Sequence, residues 1–273
     1  MYDKAASVIK EAEVFILTAG AGMGVDSGLP DFRGNMGFWN AYPEYERLGL
    51  SFEQCANPKY FAYDPQFGWG FYGHRTNLYR ETVPHEGFHL IQKWIARNNA
   101  EYFVVTSNVD GQFQKAGYAD ERTYEVHGSI HWLQCQRHCS GEIWENREAF
   151  VIDHETMRAT GTLPGCPHCG ITARPNILMF GDYDWASGRT NAQKRQFDRF
   201  IADNAKKRIV VIETGAGTSI PTIRRLSEQI GSRKNATVIR INPRESEIRN
   251  PHISIATGAL EGLRNIDSEL AEK

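Results

Sequence analysis

Apolar positions along this chain follow two periods. Ala5, Ile9 and Ala12 share one face of a 3.6-residue repeat and the neighbouring charges lie elsewhere, which predicts an amphipathic opening helix. Val14-Phe15-Ile16-Leu17 then forms an unbroken apolar run of β-favouring residues, the pattern of a strand covered on both faces. The pattern recurs at Phe103-Val104-Val105-Thr106, Arg208-Ile209-Val210-Val211-Ile212 and Thr237-Val238-Ile239-Arg240-Ile241. Helix-length amphipathic segments fall near 86–98, 186–205 and 221–231. Strands alternating with helices predict βαβ units and a parallel sheet. Two stretches break the alternation. Residues 35–80 carry 13 of the chain's 31 aromatic residues, and residues 129–176 carry two cysteine pairs among short, polar, β-like pieces. Both read as insertions that pack together beside the α/β unit.

Composition narrows the function classes. With 273 residues and 41% hydrophobic content, the chain can bury one large core and a smaller satellite. Lys+Arg 31 against Asp+Glu 33 gives a net charge of −2, with no basic excess to attract nucleic acid and no acidic run. The first residues interrupt their apolar positions with Asp3, Lys4, Lys10, Glu11 and Glu13, unlike a secretory signal. No apolar run is long enough to cross a bilayer. A soluble, cytoplasmic protein is expected. Five cysteines support a reducing compartment, since four form the local pairs Cys135/Cys139 and Cys166/Cys169 and Cys55 stands alone.

The first strand ends in Gly20-Ala21-Gly22-Met23-Gly24, a turn that aims free backbone N–H groups at a phosphate. The third glycine of the usual dinucleotide fingerprint is absent from its spacing, so this turn alone also suits a plain βα connection. It continues as Asp26-Ser27-Gly28-Leu29-Pro30-Asp31-Phe32-Arg33-Gly34, where Pro30 and the glycines prevent a long helix. Such a segment can shield a cleaved cofactor from water. Asn108 and Asp110 follow a buried strand, where ligands of open α/β sheets collect and where helix caps also occur. His127 precedes Gly128-Ser129; imidazole titrates near neutrality and can take a hydroxyl proton. Cys135-x3-Cys139 and Cys166-x2-Cys169 can close four thiolates around zinc, with His138 or His168 as conceivable substitutes for one. Neither pair opens a helix after a buried strand, as a redox pair would.

Taken in order, these motifs resemble the sirtuin family. Gly20-Ala21-Gly22 with Gly28-Leu29-Pro30-Asp31-Phe32-Arg33 is similar to its GAG and GIPDFR signature. Thr106-Ser107-Asn108-Val109-Asp110 with Ala116-Gly117 resembles TQNID…AG, and Glu125-Val126-His127-Gly128 follows. The paired cysteines, Arg174-Pro175-Asn176, Phe180-Gly181, Gly217-Thr218-Ser219 and Ile241-Asn242 complete the set. The resemblance implies a doubly wound, Rossmann-like parallel sheet formed by residues 1–34, 81–128 and 177–273. A smaller zinc-binding and helical lobe would comprise 35–80 and 129–176.

It also implies NAD as co-substrate, contacted by Gly20, Ala21, Gly22, Asp31, Phe32, Arg33, Ser107, Asn108, Asp110, Gly217, Thr218, Ser219 and Asn242. Asn108 would orient a water or the ribose, Asp110 would hold the nicotinamide amide, and His127 would be the general base. The partner would be an acyl-lysine protein or peptide near Phe180 and Gly181. The products would be nicotinamide and O-acyl-ADP-ribose. ADP-ribosyl transfer, NAD hydrolysis and a non-catalytic nucleotide sensor are the rival outcomes on the same fold. Tyr72 and Arg75, three apart on a helical stretch, resemble the Tyr-x-x-Arg of sirtuins that remove succinyl or malonyl groups; an exposed arginine is the simpler reading. Several positions depart from the family pattern: Gly24, Ser107, Gln112-Phe113 in place of the usual Leu-His, Asp182 in place of Glu, and Phe88 where histidine is common.

Overall fold

The computed structural model describes residues 1–31 and 34–271. Along the chain, β1 (Val14–Ala19), β2 (Glu101–Thr106) and β3 (Thr123–Glu125) come first. Five shorter-range strands follow: β4 (Gly128–Cys135), β5 (Ile143–Glu145), β6 (Val151–Asp153), β7 (Arg158–Thr160) and β8 (Ala173–Ile177). The chain then returns through β9 (Ile209–Thr214), β10 (Ala236–Ile241) and β11 (Ile253–Ile255). The main sheet has the order β3-β2-β1-β9-β10-β11, and every pairing is parallel. Numbered within the sheet this is 3-2-1-4-5-6, the doubly wound order that reverses between β1 and β9. The expected parallel sheet is therefore present. It has two strands beyond the four apolar runs: β3 and β11 hold three residues each, too few to show a period.

Burial on both faces explains the continuous apolar runs. Phe15, Leu17, Val104, Val210, Ile212 and Ile239 meet the helices α1 (Tyr2–Glu11) and, later in the chain, those spanning Glu86–Arg97 and Ala259–Ala271. Val14, Ile16, Phe103, Val105, Val211 and Val238 face the opposite way, onto helices at Gly188–Asp203 and Thr222–Gly231. Alternate residues of one strand thus enter different cores, as the two-residue period requires.

The aromatic-rich stretch is helical: α2 (Gly34–Ala41), α3 (Pro43–Arg47), α4 (Phe52–Cys55), α5 (Lys59–Tyr63) and α6 (Pro65–Glu81). The remaining helices are α7 (Glu86–Arg97), α8 (Gln112–Lys115), α9 (Gly188–Asp203), α10 (Thr222–Gly231) and α11 (Ala259–Ala271). Aromatic residues of α2–α6 share a third core with Ile130, Leu133 and Ala173 from the strands of 129–176 and with Met157 from the turn before β7. Trp69 anchors it, stacking on Phe150 at 4.5 Å and donating its indole N–H to the Ala173 carbonyl at 2.9 Å.

One ion pair in this region is fully buried. Arg174 meets Asp182 through Nη1–Oδ2 at 2.7 Å and Nη2–Oδ1 at 2.9 Å, with neither side chain exposed. Asp182 also accepts from the backbone N–H groups of Met179 and Asp184, so the pair fixes the loop that carries Phe180 and Gly181. Removing one partner leaves an uncompensated charge in the interior. Asp182→Ala should cost about 3–5 kcal/mol in urea unfolding, and the double variant Arg174→Met/Asp182→Leu should recover most of that loss. A single variant as stable as the wild type would show that water reaches Arg174.

Candidate active site

Five strands deliver their C-terminal ends to one edge of the sheet. β1 leads to Gly20, β2 to Ser107–Asp110, β3 to His127, β9 to Gly215–Ser219 and β10 to Asn242. At the switch point the loops after β1 and β9 touch backbone to backbone. Gly22 N–H donates to the Gly215 carbonyl at 3.1 Å. A Cβ on Gly22 would lie 2.6 Å from Gly215 Cα, and one on Gly20 would lie 2.8 Å from Ala216 Cα. No side chain fits at either position. From Ala21 to Ser27 the chain makes two short 3₁₀ turns instead of a long helix, in line with the glycine and proline pattern.

The loop after β2 leans on this turn. Asn108 donates from Nδ2 to the Gly20 carbonyl at 3.0 Å, and its N–H donates to Thr106 Oγ1 at 3.0 Å. The Ser107 hydroxyl turns back to the Ala19 carbonyl at 3.4 Å. Asp110 is buried, and one carboxylate oxygen accepts the Gln112 N–H at 3.0 Å, the contact that opens α8. Burial pushes the Asp110 carboxyl up to about 6, with the Glu125 charge adding and the Gln112 N–H and Arg75 opposing. His127 is half-buried at the end of the β3 connection, and its carbonyl accepts the Leu178 N–H at 2.9 Å. Desolvation lowers its pKa, opposed by a hydrogen bond to the Ser107 backbone. A neutral imidazole therefore stands beside the Ser107–Asp110 loop.

Arg75 is buried rather than exposed, which removes the simpler reading of that residue. Its guanidinium carbon lies 5.1–5.8 Å from the ring centres of Phe52, Phe71, Tyr72 and Tyr79. Nε and Nη2 both donate to the Tyr79 hydroxyl, at 3.0 and 2.7 Å. Tyr72 and Arg75 do share one side of α6. Backbone Tyr79 in turn accepts from Gln112 Nε2 at 3.1 Å, which joins this cage to the Asp110 turn.

The remaining positions form a rim. Asp31 pairs with Arg244 at 2.8 Å, and Thr218 donates to Glu245 at 2.5 Å. Thr218 and Ser219 are exposed and Gly217 is half-buried. Asn242 is wholly buried; its Nδ2 donates to Ala216 at 2.9 Å and its Oδ1 accepts from Arg244 and Glu245 N–H, so it shapes the loops rather than facing outward. Phe180 donates its N–H to Ala56 at 3.0 Å, beside exposed Gly181. Phe32 and Arg33 lie outside the described residues.

The sulfur atoms of Cys135, Cys139, Cys166 and Cys169 all lie within 4.8 Å of one another. Cys135–Cys169 and Cys139–Cys166 are 3.6 and 3.5 Å apart. A tetrahedral zinc with Zn–S bonds of about 2.3 Å separates its sulfurs by about 3.8 Å, so the cluster fits the ion. Although desolvation opposes it, the Cys169 and His168 backbone holds the Cys166 thiol low, while hydrogen bonds from Cys135 and Cys166 push Cys139 up, so the sulfurs share their protons as one group. His168 instead contacts Glu142.

Comparison with known proteins decides the family. The Sir2 family model matches residues 20–216. The chain is a member of the Sir2 family. An NAD-dependent protein deacylase of Aquifex aeolicus is 27% identical over 259 residues, covering 94% of this chain and 95% of that protein. One of Pyrococcus abyssi is 28% identical over 250 residues, covering 91% and 89%. A Sir2 homologue mutant solved with ADP-ribose superposes with a TM-score of 0.69 at 25% identity, covering 99% and 98%.

Within this Sir2 chain, sequence reasoning assigns no role to Tyr79, Gln112 or His131. Tyr79 stands four residues after Arg75, a helical spacing that could have flagged it. His131 on β4 bonds the Asp110 carbonyl through Nε2 at 2.9 Å, a long-range contact with no local signal. At the cysteine cluster four protein ligands leave no open position for chemistry, so a zinc held there would be structural. Cys166→Ser should lose the metal and destabilise the smaller lobe, because binding of a structural zinc is itself folding free energy. Metal analysis with thermal denaturation, with and without chelator, checks this; a zinc-free wild type of unchanged stability would refute it.

Proposed function

We propose that this chain is an NAD-dependent protein-lysine deacylase that releases nicotinamide and forms O-acyl-ADP-ribose. The observation that carries the reading is the convergence of the Gly20–Gly22 turn, Asn108, Asp110 and His127 on one edge of the sheet. Membership of the Sir2 family and relatives named as deacylases support it.

NAD, when bound, supplies an electrophilic ribose carbon and nicotinamide as leaving group. The chain's residues do the rest. The turn at Gly20–Gly22 presents N–H groups and close backbone approach to the diphosphate. Asn108, held by Gly20, orients the ribose end, and Asp110 accepts from the nicotinamide amide. The acyl oxygen of the modified lysine would displace nicotinamide at the ribose carbon. His127 would take a proton from the neighbouring ribose hydroxyl as that oxygen attacks the acyl carbon; free lysine would leave, and a water would open the resulting cyclic adduct to O-acyl-ADP-ribose. The five free cysteines support a reducing compartment as part of the same proposal.

His127 acts only when neutral. With its pKa lowered in the free chain, that form persists as pH falls, so the His127-dependent limb of kcat/KM should lie below pH 6.5, the ordinary histidine value. His127→Ala should reduce kcat by roughly 10²–10⁴ with little change in NAD affinity. Mass spectrometry of an acyl-peptide incubated with NAD is the readout. ADP-ribosylated protein or free ADP-ribose without deacylated peptide would displace the proposal, as would wild-type turnover by the variant.

The aromatic cage deepens the reading towards acidic acyl groups. Arg75 is held in place by Tyr79, and a planar guanidinium suits a carboxylate. A succinyl or malonyl group would meet its charge, and an acetyl group would not. Arg75→Met removes the charge and keeps much of the stem. Loss of a charged hydrogen bond of about 1.5–3 kcal/mol should lower succinyl-peptide kcat/KM roughly ten- to a hundred-fold, with deacetylation steady or faster. An equal fall for both peptides would make Arg75 a structural residue.

A further inference from the structure

The loop that meets the cofactor is also held from behind, and one of the ties is an ionisable ring. His85 caps α7 and is buried. Its Nδ1 accepts the Gly87 N–H at 3.0 Å, and its Nε2 lies 2.8 Å from the Met23 carbonyl. A backbone N–H can only donate and a carbonyl can only accept. Nδ1 therefore carries no proton and Nε2 carries one. The two partners admit only the neutral ring, in one tautomer. The His85 N–H also donates to Ser27 Oγ at 2.9 Å, so one residue grips the loop at Met23 and at Ser27.

A neighbouring tie is made without the ring. Asp26, between those points, accepts the Leu260 N–H at 2.8 Å at the start of α11. The helices behind the loop are braced against each other by Trp94–Asp267, Lys93–Asp267 and Arg264–Glu86. The frame is firm, and the loop's position depends on what connects it to that frame.

A second proton on the ring has only Nδ1 to occupy. There it would face the Gly87 N–H, donor against donor at 3.0 Å. The Met23 hydrogen bond by itself favours the charged ring, so the conflict lies at Gly87; the rigid ring can relieve it only by turning away from the α7 N-terminus, which carries Nε2 off the Met23 carbonyl. The charged groups facing His85 are Asp26 in the loop and Glu86 on α7, which favour the cation, and Arg264 on α11, which opposes it. Phe88 packs against the ring at 4.9 Å. Burial dominates and holds the pKa below the ordinary value, so the neutral latch prevails at neutral pH.

We propose that neutral His85 is a positioning residue for NAD, and that its protonation releases the Met23 side of the loop and weakens NAD binding in acid. The inference rests on the NAD-binding reading given above. It assigns His85 no contact with the reacting atoms.

The test is the NAD dissociation constant of the full chain, measured by calorimetry from about pH 8 to about pH 5.5, across the histidine range. His85→Asn keeps an acceptor for the α7 cap, cannot titrate and is too short to reach Met23 in the same way. Loss of one hydrogen bond should weaken NAD binding roughly two- to ten-fold at the alkaline end. The ratio of variant to wild-type constants should then shrink towards one as pH falls, because the wild type loses the same bond. Asp110 and His127 are present in both proteins and cancel in that ratio. A ratio that stays constant with pH, or equals one at about pH 8, overturns the proposal. Absence of NAD binding by the wild type at every pH would instead sink the NAD reading itself. If the variant fails to fold, imidazole nitrogen spectra of the histidine-labelled wild type decide. They should show His85 as the Nε2–H tautomer at neutral pH, taking up its second proton in step with the weakening of NAD binding. An Nδ1–H tautomer, or a ring that stays neutral while binding weakens, overturns it.

Discussion

Where β1 and β9 end side by side, their outgoing loops have no room for side chains between them. Gly20 and Gly22 lie directly on Gly215 and Ala216, and the Gly22 N–H closes the contact on a backbone carbonyl. Backbone amides can approach a ligand only where nothing projects in front of them, and this contact produces such a surface. The other site groups take their places from it. Asn108 is oriented by the Gly20 carbonyl, Ser107 by Ala19 and Asn242 by Ala216. The switch in strand order thus does more than leave a crevice. It supplies the carbonyls that aim the polar side chains.

The second lobe solves a different problem. Apart from β4 its strands are short, and its core is built from rings that cannot by themselves hold long loops in register. The buried Arg174–Asp182 pair and the four-cysteine cluster do this at two separate points. A buried ion pair contributes little net stability compared with apolar residues of the same shape. Its value here is geometric, since Asp182 collects two guanidinium nitrogens and two backbone N–H groups around the Phe180–Gly181 turn. Asp182, shorter than the glutamate of the family pattern, reaches all four.

Much of this was legible in the residues alone. Continuous apolar runs show a strand covered on both faces, which is why β1, β2, β9 and β10 stand out. β3 and β11 do not, because three residues cannot display a period. Cysteine spacing is a local signal for a local cluster, so the zinc ligands were readable as a set. Arg75 was ambiguous for the opposite reason. Whether α6 turns that residue inward depends on what the insertions pack against, and no spacing along one helix contains that information. Asp110 suits both a ligand contact and a helix opening in the sequence. In the fold it engages the Gln112 N–H with one oxygen, which is the helix-opening use, while burial raises its pKa.

Two departures from the family pattern turn out to be a single contact. Phe88 occupies a position where histidine is common, and Phe113 replaces the histidine of the stretch after Asp110. Their rings meet edge to face at 5.0 Å, in the core shared by α7 and α8. An aromatic at either position alone would face a polar neighbour in a buried space. Together they make an apolar pair worth about 0.5–1.5 kcal/mol beyond the area they bury. With that place on α7 given to packing, the hydrogen bond from the helix to the glycine-rich loop comes from His85, three residues earlier, whose ring rests on Phe88 and reaches Met23. The apolar exchange and the polar latch are therefore parts of one arrangement. A change at Phe88 should be felt at the loop through the His85 ring that packs against it.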